Sequence, residues 1–355
     1  MATCLAVTPL PVAAEDAAPR QVLRETGDLV FHLRGSGAAT QLVRRRGRDG
    51  AAEVLWPLAD GAAPLRDYAP APGGRWVAVV TQPAGASALL QVLDTRSRQT
   101  STARFDGTDV GALAWTPDAR QLAFNRLRQA PPGTPAGGEV WLWTPGSPES
   151  TARAVFGDGV AGVSMPAGHV PALVFTHDGL WALGFGLHPT RRDLALWLAP
   201  AAGVRTGQPR WRLLVDPAEQ VERVTYKQDR LYLLSRREAP RGRILVRALS
   251  QPDQPAQVWW PEGHATLTGL AAATDALYIS LQDAAGAGLQ RRAWNVTAFV
   301  PVALPPGAAF RLDDVDTLAS AADPRLPGLL LPLHAGGRVR HVLVSPDAAV
   351  RETTP

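Results

Sequence analysis

Seven stretches of this 355-residue chain share one pattern: an alternating apolar strand, a polar or Gly/Pro turn, and a second strand. They run Gln41–Trp56, Leu89–Phe105, Glu139–Phe156, Leu194–Val215, Arg243–Trp260, Leu289–Leu304 and Val339–Thr354. The period is roughly fifty residues, and a hairpin at that spacing cannot bury its apolar face without stacked neighbours. Radial or linear repetition of an all-strand unit follows.

A second echo precedes most of the hairpins, a tight turn followed by an apolar strand. It stands at Tyr68–Val80, Trp115–Phe124, Phe175–Phe185, Tyr226–Ser235 and Ala272–Leu281, with a weaker copy at Ala322–Leu331. Asp118, Asp178, Asp229 and Asp275 hold one slot in it, where a carboxylate can bond its own backbone and the neighbouring position needs positive φ. Two strands from this half and two from the hairpin make a four-stranded antiparallel sheet. The fold class is therefore all-β, a β-propeller of seven blades of mostly four-stranded sheets.

The propeller is expected over residues 27–355 as one domain, after a disordered leader or signal-peptide remnant over 1–26. One unit is irregular: Asp28–Leu58 shows only three strands. Either it completes the last blade and closes the ring, or it is a remnant ahead of six full blades. No run is long enough to span a membrane as a helix, and no amphipathic helix is visible.

An apolar fraction of 46% supports a large core, and 33 Gly with 32 Pro supply the turns. Trp76, Trp141, Trp143, Trp181, Trp197 and Trp294 fall on expected strands and read as packing between blades. The net charge of +4 is almost all arginine, since Lys227 is the only lysine. The densest cluster, Arg44, Arg45, Arg46 and Arg48, lacks the interleaved aromatics and wide basic face of a nucleic-acid site and reads as a solvated strand end. Cys4 is the sole cysteine, so neither a disulfide framework nor a thiolate metal site is expected. The compartment, cytoplasmic or periplasmic, stays open.

The chemistry-bearing motifs are few. A hydrolase elbow needs Gly-x-Ser-x-Gly, and the nearest approaches, around Ser164 and Ser36, each lack a flanking glycine. His32, His169, His177, His188, His264, His334 and His341 show no metal spacing, and His177 reads as a turn residue. Asp313, Asp314 and Asp316 could gather a calcium ion, yet the dedicated loop's glycine and distal glutamate are missing, so they read as caps on a turn between blades. No catalytic, cofactor-binding or metal residue is nominated.

Leu65, Arg66, Tyr68, Gly74 and Ala78, followed by Ala114, Trp115 and Asp118, resemble the turns that open the first two full blades of the prolyl oligopeptidase propeller. Trp211–Leu249 and Thr317–Val344 are similar to later blades of that family, so the resemblance covers about Gly27 to Thr354. Pro70 and Pro72 replace a serine and an aspartate of the first turn, and Ala119 replaces the glycine of the second. The resemblance implies a substrate-gating domain that admits short peptides to an α/β-hydrolase catalytic domain, and no catalytic Ser, Asp or His of that domain has a counterpart here. The chain alone is expected not to cleave peptides; its partners would be the hydrolase domain, missing or in trans, and short peptides. The alternative is a stand-alone propeller scaffold that binds a peptide or protein.

Overall fold

The computed structural model describes residues 24–34, 40–47, 50–57, 63–83, 86, 88–105, 108–128, 137–188, 190–305, 309–314, 319–320, 325–335 and 338–353. Six four-stranded antiparallel sheets follow one another along the chain, and each is made of four consecutive strands. Blade one holds β1 (Arg24–Thr26), β2 (Leu29–Arg34), β3 (Gln41–Arg46) and β4 (Glu53–Trp56). Blade two holds β5 (Leu65–Pro70), β6 (Trp76–Thr81), β7 (Leu89–Asp94) and β8 (Thr100–Arg104). Blade three is β9 (Thr108–Trp115), β10 (Leu122–Arg128), β11 (Gly138–Trp143) and β12 (Arg153–Gly157). Blade four is β13 (Val170–Phe175), β14 (Trp181–Leu187), β15 (Leu194–Pro200) and β16 (Arg212–Val215). Blade five is β17 (Val221–Lys227), β18 (Arg230–Ser235), β19 (Arg243–Ala248) and β20 (Gln257–Trp260). Blade six is β21 (Thr266–Ala272), β22 (Ala276–Asp283), β23 (Gly286–Ala293) and β24 (Val300–Val302).

The seventh blade differs. Its three-stranded sheet is β27 (Leu329–Ala335), β28 (Arg338–Val344) and β29 (Val350–Thr353). Ahead of it the short pair β25 (Asp313–Asp314) and β26 (Ala319–Ser320) stands where the other blades place their first strand. The fold is a seven-bladed propeller, as the repeats require. Six of the seven expected hairpins are the third and fourth strands of four-stranded blades, the seventh is the last two strands of the three-stranded sheet, and the second echo is the turn between the first two strands of a blade.

The irregular first unit is not short of a strand. Arg24–Thr26 pairs antiparallel with Leu29–Phe31 through a turn at Gly27 and Asp28, so blade one has four strands of its own. Three residues carry no readable alternation, and tertiary pairing alone reveals this strand. It also begins ahead of residue 27. A second departure lies in blade four, where the connection inside Leu194–Val215 folds as a six-residue helix, α1 (Ala201–Thr206). Gly207 ends it at φ +80°, and Ala201 and Val204 turn inward. Two inward residues are too few for sequence periodicity to register.

The first strands pack in succession, β1 against β5, β5 against β9, β9 against β13, β17 against β21, and β21 against β25. They therefore surround the central channel. Between adjacent blades lie hydrophobic clusters, each built from one face of two sheets. Trp143 and Trp197 are fully buried in them, with Trp76, Trp141, Trp181 and Trp294 packed at their margins. Polar tips of aromatics fasten blade to blade: Tyr68 Oη donates to Phe31 O at 3.0 Å, Trp115 Nε1 to Ala69 O at 2.9 Å, and Trp211 Nε1 to Val155 O at 2.7 Å.

The turn chemistry repeats where the carboxylates repeat. Thr116 Oγ1 donates to Asp118 Oδ1 at 2.7 Å and Thr176 Oγ1 to Asp178 Oδ1 at 2.6 Å, while each carboxylate also accepts the N–H two residues on. Asp229 and Asp275 share the slot but not the role. Asp229 accepts from Ser250 across its blade, and Asp275 reaches blade seven. His177 does lie in its turn, with its ring stacked on Tyr226 at 5.6 Å.

Arg44 and Arg45 are not a solvated strand end. Arg44 ion-pairs with Glu53 at 2.5 Å and donates to Thr95 Oγ1 of blade two at 2.9 Å. Arg45 approaches His32, and Arg46, paired loosely to Asp28, is exposed. The cluster is divided because strand alternation sends successive side chains to opposite faces. Arg48 lies outside the described residues.

Candidate functional site at the channel mouth

Each first strand starts on one face of the ring and runs through the channel wall. Near that start, three of these strands carry a β-bulge. The pairing skips Arg66 between Leu65 and Asp67, Glu222 between Val221 and Arg223, and Thr268 between Leu267 and Gly269. A bulge leaves one residue out of the ladder and re-aims its side chain, and it is a usual device at the rim of a closed sheet. Arg66 and Thr268 are exposed and Glu222 is half-buried. The irregularity of blade three lies deeper, with Ala112 at φ +46° between the paired Gly111 and Ala114.

The bulged residues are held by partners. Arg66 Nη1 donates to Gln82 Oε1 at 2.7 Å, and Thr268 Oγ1 to Ser280 Oγ at 2.8 Å. Glu222 pairs with Arg236 at 3.2 Å, whose Nη2 also donates to Leu267 O of blade six at 2.6 Å. At the adjoining first strands, Arg24 Nη2 donates to Asp67 Oδ1 at 3.0 Å while its guanidinium lies over the Tyr68 ring. The mouth thus carries two ion pairs, Arg24 with Asp67 and Arg236 with Glu222.

Blade four adds an imidazole pair on the same face. His169 immediately precedes β13 and His188 follows β14, with ring centroids 5.3 Å apart, edge to face. His188 Nδ1 accepts the N–H of Arg191 at 3.1 Å, so its proton sits on Nε2. Burial, then the nearby Arg191 and His169, hold it below the ordinary histidine range.

Among the described residues the other candidates do not assemble a reaction centre. Ser164 lies exposed in the segment before β13 with no helix after it, and Ser36 is outside the described residues. Asp313 and Asp314 form a short strand rather than a turn, and Asp316 is outside the described residues. Among the described residues no three His, Cys, Asp or Glu side chains converge as metal ligands.

A family model for the N-terminal β-propeller domain of prolyl oligopeptidase matches residues 56–295. The chain belongs to this family. Among solved structures, the propeller is similar to a prolyl endopeptidase from a study of inter-domain dynamics in two such enzymes, at 19% identity and TM-score 0.73 over 93% of this chain. It is similar to prolyl oligopeptidase B from Galerina marginata at 16% identity and TM-score 0.68, covering 94% of this chain and 51% of that one. Oligopeptidase B from Leishmania major gives 14% identity and TM-score 0.73, covering 94% of this chain and 48% of that one. The chain spans about half the length of these structures. No curated protein matches it by sequence.

The family-like residues of the oligopeptidase propeller are its fasteners. Tyr68 and Trp115 bind the preceding blade, and Gly74 at φ +65° lets Leu29 and Phe31 of blade one close on its backbone. The bulges escaped sequence reading, because a bulge is a mismatch between two strands and leaves no mark on either alone.

Proposed function

We propose that this chain is the substrate-gating propeller of a prolyl-oligopeptidase-like serine peptidase, admitting short peptides to an α/β-hydrolase catalytic domain that these residues do not form. The observation that carries the reading is topological. The first described strand, β1, starts on the mouth face, and β29 ends on the same face, so the chain enters at residue 24 and leaves at residue 353 on one side of the ring. A catalytic domain joined to the chain at either point is attached on the mouth side of the ring.

The relatives support the same assignment at the level of the whole protein. Prolyl oligopeptidase B from Galerina marginata is solved bound to a 25mer macrocyclization substrate and to a 35mer hydrolysis and macrocyclization substrate. An extended peptide presents charges and backbone groups to the fixed ions of the mouth, whereas a folded protein cannot enter a ring lined by packed strands. Selection is then by size, and chemistry comes from the partner.

The test is the coding DNA for a few hundred codons beyond Pro355, followed by co-expression. A Gly-x-Ser-x-Gly elbow with later Asp and His, and cleavage after proline in a short peptide but not in a folded protein, is the expected result. An unrelated neighbour, with no hydrolase that binds the mouth face, overturns the proposal and leaves a stand-alone binding scaffold.

A further inference from the structure

Six of the seven junctions between blades are built alike, and the seventh is not. Blades one and two share a hydrophobic cluster, and so does every following pair through blades six and seven. Between blade seven and blade one no such cluster forms among the described residues. Among the described residues no strand is exchanged there either, because each sheet uses only its own consecutive strands.

Strand alternation shows which side chains meet at this seam. On β2, Phe31 and Leu33 enter the cluster shared with blade two, so Val30 and His32 take the opposite face with their β3 partners Arg45 and Val43. On β27 and β28, Leu331, Leu333, Val342 and Val344 pack toward blade six, which turns Leu330 and His341 toward blade one. His32 and His341 are 3% and 2% exposed. Arg45 Nη2 stands 3.4 Å from His32 Nε2. A guanidinium only donates, so Nε2 carries a lone pair and the ring is neutral.

We infer that the seam between the first and last blades is an acid-sensitive joint, in which protonation of His32 places a second positive charge beside Arg45 and loosens this junction while the six apolar ones hold. Among the described residues, the charged groups acting on His32 are Arg45 on β3, His341 on β28 and Arg34 on its own strand. Burial first, and then these charges, hold its imidazole down at about 4 against an ordinary 6.5. An opened seam returns His32 to water and to its ordinary affinity for protons. The closed form is therefore fully favoured above pH 6.5, and that preference is lost as pH falls toward 4. With those two values the opening equilibrium rises about tenfold between pH 7.5 and 5.5.

The test is amide hydrogen exchange of the full chain at pH 7.5 and 5.5, corrected for intrinsic rates and resolved by blade. The expected result is about tenfold faster exchange in β2, β3 and β28 at the lower pH, with β14 and β15 of blade four unchanged. His32→Gln should abolish the difference. Arg45→Gln should shrink it, because the closed-seam imidazole then protonates nearer its ordinary pH. No difference between the two conditions, an equal increase in every blade, or a full acid response in His32→Gln each overturns the proposal.

Discussion

The carboxylate of Asp275 in blade six accepts the backbone N–H of Gly328 in blade seven at 2.7 Å. The same carboxylate accepts from Tyr278 Oη and Arg291 Nη2, both at 3.0 Å. Thr274 N adds a bond to Leu326 O at 2.9 Å, so one turn of blade six carries the irregular seventh blade. Gly328 sits at φ +74° with Val344 O where a Cβ would stand, which admits no other residue.

Asp275→Ala should therefore cost about 3 kcal/mol, because it strands a buried arginine, a phenol and an amide at once. Asp275→Asn keeps an acceptor and should lose less. Urea denaturation of the two variants measures the difference, and equal stability for both would show that Asp275 does not hold the blades together.

Ala119 occupies the left-handed region at φ +58°, in the position where the matching turn of blade four has Gly179 at φ +73°. Ala119→Gly should relieve that strain and raise stability by about 0.5–1 kcal/mol, net of glycine's larger unfolded-state entropy. An unchanged or lowered denaturation midpoint would count against strain in this turn.

Gly184 in β14 faces Phe156 of blade three so closely that a Cβ would stand 2.4 Å from its ring. Gly184→Ala should destabilise by about 2 kcal/mol through overpacking. Adding Phe156→Leu should recover part of that loss, a coupling that a double-mutant cycle reads directly.

Acid should act in two steps. His32 is held low, so its contribution is complete above pH 6.5 and declines as pH falls toward 4. Asp94 is also held below its ordinary value: burial pushes it up, but the N–H groups of Arg96 and Ser97 and the guanidinium of Arg75 outweigh burial. The contribution of Asp94 is complete above its ordinary 3.8 and is lost as pH drops through the depressed value. His32→Gln should flatten the first limb of a stability-versus-pH curve and Asp94→Asn the second, without exchange of roles.

Legibility followed the range of the interaction. The last two strands of every blade were readable because alternation and turn residues act within about twenty residues. Asp118 and Asp178 behaved as the turn pattern implies, whereas Asp229 and Asp275 did not, since their partners Ser250 and Gly328 lie far along the chain. Arg44 and Arg45 looked like one basic patch in sequence and were separated by the pleat, one to Glu53 and Thr95, the other to the seam.

The repeat, the strand order within each blade and the absence of a hydrolase elbow were determined by the sequence, because each rests on neighbouring residues and on backbone preferences. Only the tertiary structure decided the rest. The first strand of blade one, β1, is visible only by its pairing, the bulges at Arg66, Glu222 and Thr268 are mismatches between strands, and the electrostatic coupling of His32 to His341 requires the ring to close. The first two kinds of feature depend on how neighbouring strands of one blade pair, and the last depends on the first and seventh blades coming together.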